Sequence, residues 1–439
     1  MRGGSDGTAA HYEDLATLAR LTEDVGYGLA AIAAECRGLL ADPQLAASAL
    51  LDPAGAARVE WSVVTALAGV SGLAGVAARF LSRAASLRLA VLHYRATDAG
   101  QAAALDAARW GAGRVAGATL MAAPTASAVA LGALAGARVD PQRLLVEHPQ
   151  LVDSLVGASP GLLSSLPGVL VRDVPTAAGW LGKAYPDGGL TVKPTGEDTD
   201  PAASRPPTTL TDVVTALDHR DDRASAAHDQ IDVRVISRAD GQRAFIVDLP
   251  GTRAWNDPLT AHPATNDLGT NLHALAGEVT TRERGVAEAL RQAGADRNDP
   301  VMLVGHSQGG LVAAAAAHDS GSAQFPYRVS HVVALGAPIG RVTVPAQVQL
   351  LAVENAYDIV PHLDAATNRD RPQQTTVTIS DQRHDIGRNH DLNGTYLPAM
   401  RQVDVAGDPS IVSFRRSASD FLSPTATVRT AVFELGRTP

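Results

Sequence analysis

Cysteine is almost missing from this chain of 439 residues: Cys36 stands alone, which excludes an intrachain disulfide framework. Lysine is nearly missing too, at Lys183 and Lys193 only, so arginine carries the basic charge. With 37 basic against 46 acidic residues the net charge is -9, and no segment gathers the basic face that a phosphate backbone requires. Nucleic acid is therefore excluded as a partner. The first residues, MRGGSDGTAAHYEDLATLARL, lack the charged start and continuous apolar run of a secretory signal peptide. The expected location is the cytoplasm, or outside it by export without a cleavable signal. One uncharged run, residues 115–137, has the length of a membrane span, but it consists mainly of Ala, Gly, Ser and Thr with Pro124 near its middle. It reads as a buried small-residue helix, with peripheral membrane contact left open. What is present, 45% hydrophobic and 19% charged residues, suits a globular protein with room for two domains, each with its own core.

Residues 10–183 read as a helical domain. Leu15, Leu18, Leu21, Val25, Leu29, Ile32, Cys36 and Leu39 recur at steps of three and four, which predicts one apolar helix face with Cys36 as a small buried residue on it. A second such pattern runs from Trp61 through Val64, Leu67, Val70, Leu73, Val76 and Phe80 towards Tyr94, so the two form a helical hairpin across ADPQLAASALLDPAG. DPQLAAS from Asp42 returns as HPQLVDS from His148, a hint of an internal repeat with proline placed to begin each helix. The second helix is expected to end at YRATD, residues 94–98. A Tyr-x-x-x-Asp/Glu after a hairpin resembles the signal of bacterial type VII secretion substrates. That resemblance implies export and a secretion-system partner for these helices. The Trp-x-Gly of that family's turn is missing: Trp61 is followed by Ser62 and Val63, and Trp180-Leu181-Gly182 lies far downstream. The helical half thus stands as a cap over the second domain, an export module or a partner-binding module.

Residues 184–206 are rich in Pro, Gly, Thr and Asp without periodicity and read as a linker. From 207 to 439 the pattern changes. IDVRVIS and RAFIVDL about the turn ADGQ predict a hairpin, and VMLV, HVVALG, VQLLAV and TTVTIS follow as short strands with helical patterns such as TTRERGVAEALRQAGA between them. The fold class is therefore α/β, a mainly parallel sheet with helices on both faces, preceded by an all-α domain.

Gly305-His306-Ser307-Gln308-Gly309 places a serine between two glycines where VMLV passes into an alanine-rich helix. Such an elbow lifts the hydroxyl from the top of the sheet, and the backbone N–H of Gln308 faces the position of a developing oxyanion. A serine needs a base, and the base needs an acid to fix its tautomer. Asp358, at the end of VQLLAV and before Pro361, is the expected acid, with Asp364 and Glu354 as rivals. His390, which follows TTVTIS and precedes a helix, is the expected base, with His384 as rival and His362 too early in the chain. The loop PGTRAWNDP after RAFIVDL is expected to give the second oxyanion donor through Gly251 and Thr252. His306, Trp255 and Leu259 are expected to touch substrate.

Together Gly251, Ser307, Asp358 and His390 make residues 207–422 resemble the α/β-hydrolases, above all bacterial serine esterases and lipases with GHSQGG, a PGT turn and a D-x-V-P acid turn. The resemblance implies hydrolysis of small-molecule or lipid carboxylic esters through an acyl-enzyme, with no metal or cofactor. An acyltransferase or thioesterase would use the same triad, and a noncatalytic module of a secretion system could keep the same fold. The gaps at residues 324–330 and 337–347 are too short for the large cap of many lipases, which leaves the loop from Arg253 and the helical half as covers for the site.

Overall fold

The computed structural model describes residues 2–4, 8–68, 71–122, 140–259 and 262–438. The chain forms two compact units, Ala9–Ala104, and Met1–Thr8 together with Leu105–Pro439. In chain order the helices are α1 Thr8–Gly38, α2 Pro43–Leu51, α3 Pro53–Leu67, α4 Leu73–Ala122, α5 Pro141–Glu147, α6 Gln150–Leu163, α7 Val174–Gly182, α8 Leu210–Asp221, α9 Leu268–Leu275, α10 Thr281–Gln292, α11 Gln308–His318, α12 Leu397–Val405 and α13 Pro409–Ser417, besides shorter turns.

In the first unit α1 and α4 meet through small residues. Ala19, Ala33, Ala77 and Ala84 are buried, and a Cβ at Gly26 would stand 2.8 Å from the Leu81 side chain. Glu23 and Arg88 pair across the same helices at 2.5 and 2.7 Å. The expected apolar stripe is not the packed one: Leu18, Leu21, Val25, Ile32 and Leu39 are exposed, and Cys36 is only half-buried. Alanine and glycine allow closer backbone approach than leucine does, and the helix contact follows them. The second predicted helix is broken as well, since α3 ends at Leu67 and α4 begins at Leu73. Residues 94–98 then lie inside α4 rather than after a helix. Among the described residues no helix is long and apolar enough to cross a membrane. Most of the uncharged run, residues 123–137, lies outside the described residues.

The second unit is built on nine strands in the order β1-β8-β7-β6-β5-β4-β3-β9-β2. These are β1 Arg2–Gly3, β2 Gly189–Glu197, β3 Asp229–Ser237, β4 Arg243–Leu249, β5 Pro300–His306, β6 Arg328–Leu335, β7 Gln349–Asn355, β8 Gln374–Ile379 and β9 Thr427–Thr438. Strands β4 to β8 are parallel, and the pairs involving β1, β2, β3 and β9 are antiparallel. The period of two along each strand sends alternate side chains to opposite faces. Val247, Val301 and Leu303 pack towards α10 and α11 on one face, while Ile246, Met302 and Val304 pack towards α8, α12 and α13 on the other. This is the α/β-hydrolase architecture, preceded by helices.

Two boundaries differ from expectation. Residues 184–206 are not a linker: β2 lies among them and pairs with β9 from Gly189↔Thr438 to Glu197↔Ala431. A segment too polar to order itself is ordered by the ladder of a neighbouring strand. The helical half also divides, because residues from Leu105 onward group with the sheet. There Gly113 and Gly161 let α4 and α6 touch at backbone distance, a Cβ at either position falling 1.9 Å from a carbonyl oxygen.

A ladder of buried charge crosses the α8 face. Arg220 pairs with Asp232 at 2.8 Å and Arg234 with Asp248 at 2.7 Å. Burial pushes the Asp248 carboxyl up to about 6 despite Arg234. Above the ordinary carboxylate range of about 4 this group therefore weakens folding progressively, until the pH passes its folded value. Arg234→Met removes the cation bonded to Asp248 in this ladder, so urea unfolding at pH 7 should show a loss of about 3–5 kcal/mol. The loss should shrink below about pH 4, where Asp248 can be buried neutral. An equal loss at both pH values would show that packing, not charge, is what Arg234 contributes.

Candidate active site

Strand β5 ends at His306 and helix α11 begins at Gln308, so Ser307 occupies the junction with φ 55° and ψ -123°. A serine held at positive φ is strained, and its neighbours enforce the conformation. A Cβ at Gly305 would lie 2.2 Å from the Gly309 carbonyl carbon, and one at Gly309 would lie 1.9 Å from the Leu249 oxygen. The N–H of Ser307 donates to the Leu335 oxygen at 2.9 Å, tying the turn to β6. Gln308 follows with its backbone N–H in the first turn of α11, where no intrahelical acceptor exists. Its side chain is fixed at both ends: Arg282 Nη1 donates to Oε1 at 2.7 Å, and Nε2 donates to the Asp267 oxygen at 2.6 Å. Arg282 is fully buried and paired with Asp229 at 2.9 Å.

Asp358 lies just past the end of β7 and is wholly buried. Its Oδ2 accepts from His390 Nδ1 at 2.6 Å and from the Tyr396 hydroxyl at 2.5 Å, and its Oδ1 accepts from the Val360 N–H at 2.9 Å. A carboxylate at Nδ1 fixes the histidine tautomer and leaves Nε2 with a lone pair. Burial and the adjacent Asp358 push the Tyr396 hydroxyl well above its usual range, so it stays a donor. His306 stacks on His390 with ring centroids 4.5 Å apart and donates from Nε2 to the His390 carbonyl at 2.8 Å. Burial, and then the neighbouring His390, push the His306 imidazole down to about 4. It is neutral at pH 7, so a positive charge on His390 meets no like charge there.

The rival residues are engaged elsewhere. Asp364 accepts from the N–H groups of Arg341 and Ala366 at 3.2 and 3.0 Å, and burial pushes its carboxyl up to about 6. Glu354 accepts from Asn368 at 2.6 Å, His362 pairs with Asp153 at 2.8 Å, and His384 is exposed.

Ser307, Gln308, His390, Gly251, Thr252, His306 and Trp255 all line one pocket of about 410 Å³, floored by Leu272, Leu275 and Leu311. Trp255 sits at its mouth, 73% exposed. Leu259 is not in the lining: it has φ 66°, is 84% exposed, and donates its N–H to the Ala184 oxygen. The loop donor needs correction too, because the Gly251 N–H already donates to Asp221 Oδ1 at 3.1 Å. An N–H aimed at a carboxylate cannot also face an oxyanion. Space at 251 is tight, since a Cβ there would come within 3.2 Å of Ser307 Cβ. Asp221 is held in turn by Arg253 at 2.6 Å. Asp221, Arg282 and Tyr396 were not legible as site residues, because each is recognised only by a partner distant in sequence. The closeness of a tyrosine to His390 along the chain was the one signal available.

A sheet whose five central strands run parallel, a strained strand-to-helix serine turn and an Asp–His pair whose histidine lines the same pocket define an α/β-hydrolase-type domain. The family comparison agrees: the family described as "PGAP1-like alpha/beta domain" matches residues 264–404, about a third of the chain. That stretch holds Ser307, Asp358 and His390 and begins after Gly251 and Thr252. No curated protein and no solved structure matches the chain.

Proposed function

We propose that this chain is a serine hydrolase that cleaves carboxylic esters through an acyl-enzyme. The observation that carries the proposal is the 2.6 Å His390–Asp358 contact opening on the pocket that also holds the strained Ser307. Ser307 Oγ attacks the ester carbonyl carbon while His390 Nε2 takes the hydroxyl proton. The carbonyl π pair moves to oxygen, where the backbone N–H groups of Gln308 and Thr252 receive it. When the tetrahedral species collapses, the alcohol oxygen departs with the proton from His390. Water, deprotonated by the same nitrogen, then hydrolyses the acyl-serine. Asp358 keeps Nδ1–H towards itself and stabilises the imidazolium, and Tyr396 steadies Asp358.

Labelling by a fluorophosphonate tests this, because the probe phosphonylates only an activated serine. Wild-type protein should label with one adduct on a peptide containing Ser307. Failure to label, with the fold intact by circular dichroism, would overturn the assignment.

Arg282 acts here as a positioning residue. In Arg282→Met the Gln308 side chain loses its donor and Asp229 its cation, so the elbow loosens while the nucleophile, base and acid remain. Ester kcat should fall by about 10–100-fold with KM changed far less, since an oxyanion donor acts chiefly in the transition state. A rise in KM at constant kcat would count against this role.

A further inference from the structure

A second cavity of about 250 Å³ lies beyond the Ser307 pocket, among α7, α9, α10 and α11. Leu275, Leu311 and Pro338 line both, so the two share one apolar wall. The second cavity reaches solvent at the C-terminal end of α11, where His318 is exposed and Asp319 half-buried. It is also charged. Among the described residues Glu278, Glu283, Asp319 and Asp364 bring four carboxyls to it, against Arg341 and His318.

Most of these groups are answered from outside the cavity. Glu278 pairs with His273 at 2.6 Å, and Asp364 accepts from the N–H groups of Arg341 and Ala366. Arg341 directs its guanidinium to the Asp364 carbonyl at 2.6 Å and to Asp106 at 3.5 Å, and His318 Nδ1 donates to the Thr343 oxygen at 2.7 Å. Glu283 and Asp319 are not answered. Glu283 is 1% exposed, its Oε1 accepts from no described donor, and the group its carboxyl meets is that of Asp319. Arg284, next to it on α10, turns instead to Thr281 at 2.7 Å and Asp187 at 3.7 Å. Asp319 caps the C-terminus of α11, the negative end of a helix dipole, so a third negative influence converges on the pair. Among the described residues no cation forms an ion pair with either carboxyl. Burial, and next the Asp319 charge, push the Glu283 carboxyl up to about 8, so it is mostly protonated at pH 7.

We propose that this second cavity is a binding site for a small organic amine, its ammonium between the Glu283 and Asp319 carboxyls and its apolar body against Leu275, Leu311 and Ala315. The site is entered from solvent and does not rest on the ester-hydrolase reading. An ammonium brings three N–H donors and no acceptor, which suits two neighbouring carboxyls that lack a donor. A divalent metal ion suits them less, because calcium and magnesium take six or more oxygens and the described residues hold no group of three or more acidic, histidine or cysteine side chains placed for one. The apolar wall in turn favours a ligand with hydrocarbon over a hydrated inorganic ion. Binding balances through one proton: the ammonium enters charged, the Glu283 O–H bond breaks, that proton leaves to solvent, and the freed carboxylate accepts from the ammonium.

Isothermal titration calorimetry of benzylamine into the full chain tests the site. Benzyl alcohol, of the same shape without the charge, should bind at least about tenfold more weakly. Affinity for benzylamine should rise at least about tenfold between about pH 6 and pH 8.5, and heats in phosphate and in Tris near pH 7.5 should show release of more than about half a proton per amine. Glu283→Gln should weaken binding at pH 8.5 at least about tenfold and flatten the pH dependence, since its amide offers the ammonium no charge. A pH dependence that survives in this variant would belong to His273 or His318 and would overturn the role of Glu283. Asp319→Asn should weaken binding by a similar factor and serves if the first variant folds poorly, because Asp319 is half-buried at a helix end. Equal binding of benzylamine and benzyl alcohol, or unchanged affinity in the well-folded variants, would overturn the site. Displacement of benzylamine by millimolar magnesium chloride at constant ionic strength would overturn the organic occupant, and tighter binding of Nα-acetyl-lysinamide than of benzylamine would overturn the free amine in favour of a protein lysine.

Discussion

Ser307→Ala should lower p-nitrophenyl ester turnover by about a millionfold, to the level that a pocket and an oxyanion hole achieve without a nucleophile. The loss is expected to be all-or-none because the attack, the proton transfer and the acyl-enzyme all need the one hydroxyl. Folding should be untouched. The turn is held by Gly305 and Gly309 and by the Ser307 N–H, none of which the substitution alters, and alanine tolerates φ 55° no worse than serine does. Initial rates and a thermal melt on the same sample check both halves. A variant retaining even a tenth of the activity would mean that another group attacks the ester.

Asp358→Asn should reduce kcat by about ten-thousandfold while leaving KM close to its wild-type value. The size follows from what Asp358 holds. Its carboxylate accepts from His390, Tyr396 and the Val360 N–H at once, and it is wholly buried. An amide has one acceptor oxygen and one donor nitrogen in that place, so it can turn its NH2 towards His390 and reverse the imidazole tautomer. The lone pair then faces the substituted amide and the Nε2–H faces Ser307, where it cannot take a proton. The alternative flip spares His390 and Tyr396, which share Oδ2, but sets the NH2 against the Val360 N–H, two donors face to face. Stopped-flow measurement should therefore find acylation slowed and no burst. A loss below about a hundredfold would assign the orienting role to some other group.

How far the site could be read in advance depended on how local each signal was. The serine turn, Asp358 just past β7 and His390 before Tyr396 are each announced by a few contiguous residues, and β3 to β8 by short runs of apolar residues. What escaped depends on partners far along the chain. β2 contains Gly189, Pro194 and Gly196 and is mostly exposed, and its ladder is to β9. The sequence TVRTAVFELGRT of β9 alternates as a strand should, yet nothing in it names β3 and β2 as neighbours. The Gly251 N–H was misread for a similar reason, since Asp221 is thirty residues earlier. On α1 the error was one of type: hydropathy points to leucines, whereas close helix approach selects Ala19, Gly26 and Ala33.

The insertion of β9 between β3 and β2 also dictates an order of events during synthesis. β2 emerges from the ribosome more than two hundred residues before its partner strand, and β3 waits almost as long for that side of its ladder. Helices α8 to α11 and strands β3 to β8 can assemble as they appear, but residues 189–197 must stay unpaired until residues 427–438 are free. Closing so long a loop is slow compared with local pairing, which makes the docking of this last strand the natural rate-limiting phase of refolding. Arg437 then locks that edge through Asp187 and Asp267, and Asp267 also holds the Gln308 side chain. The Gln308 side chain, next to Ser307, therefore has its Asp267 anchor secured only once residues 427–438 have docked.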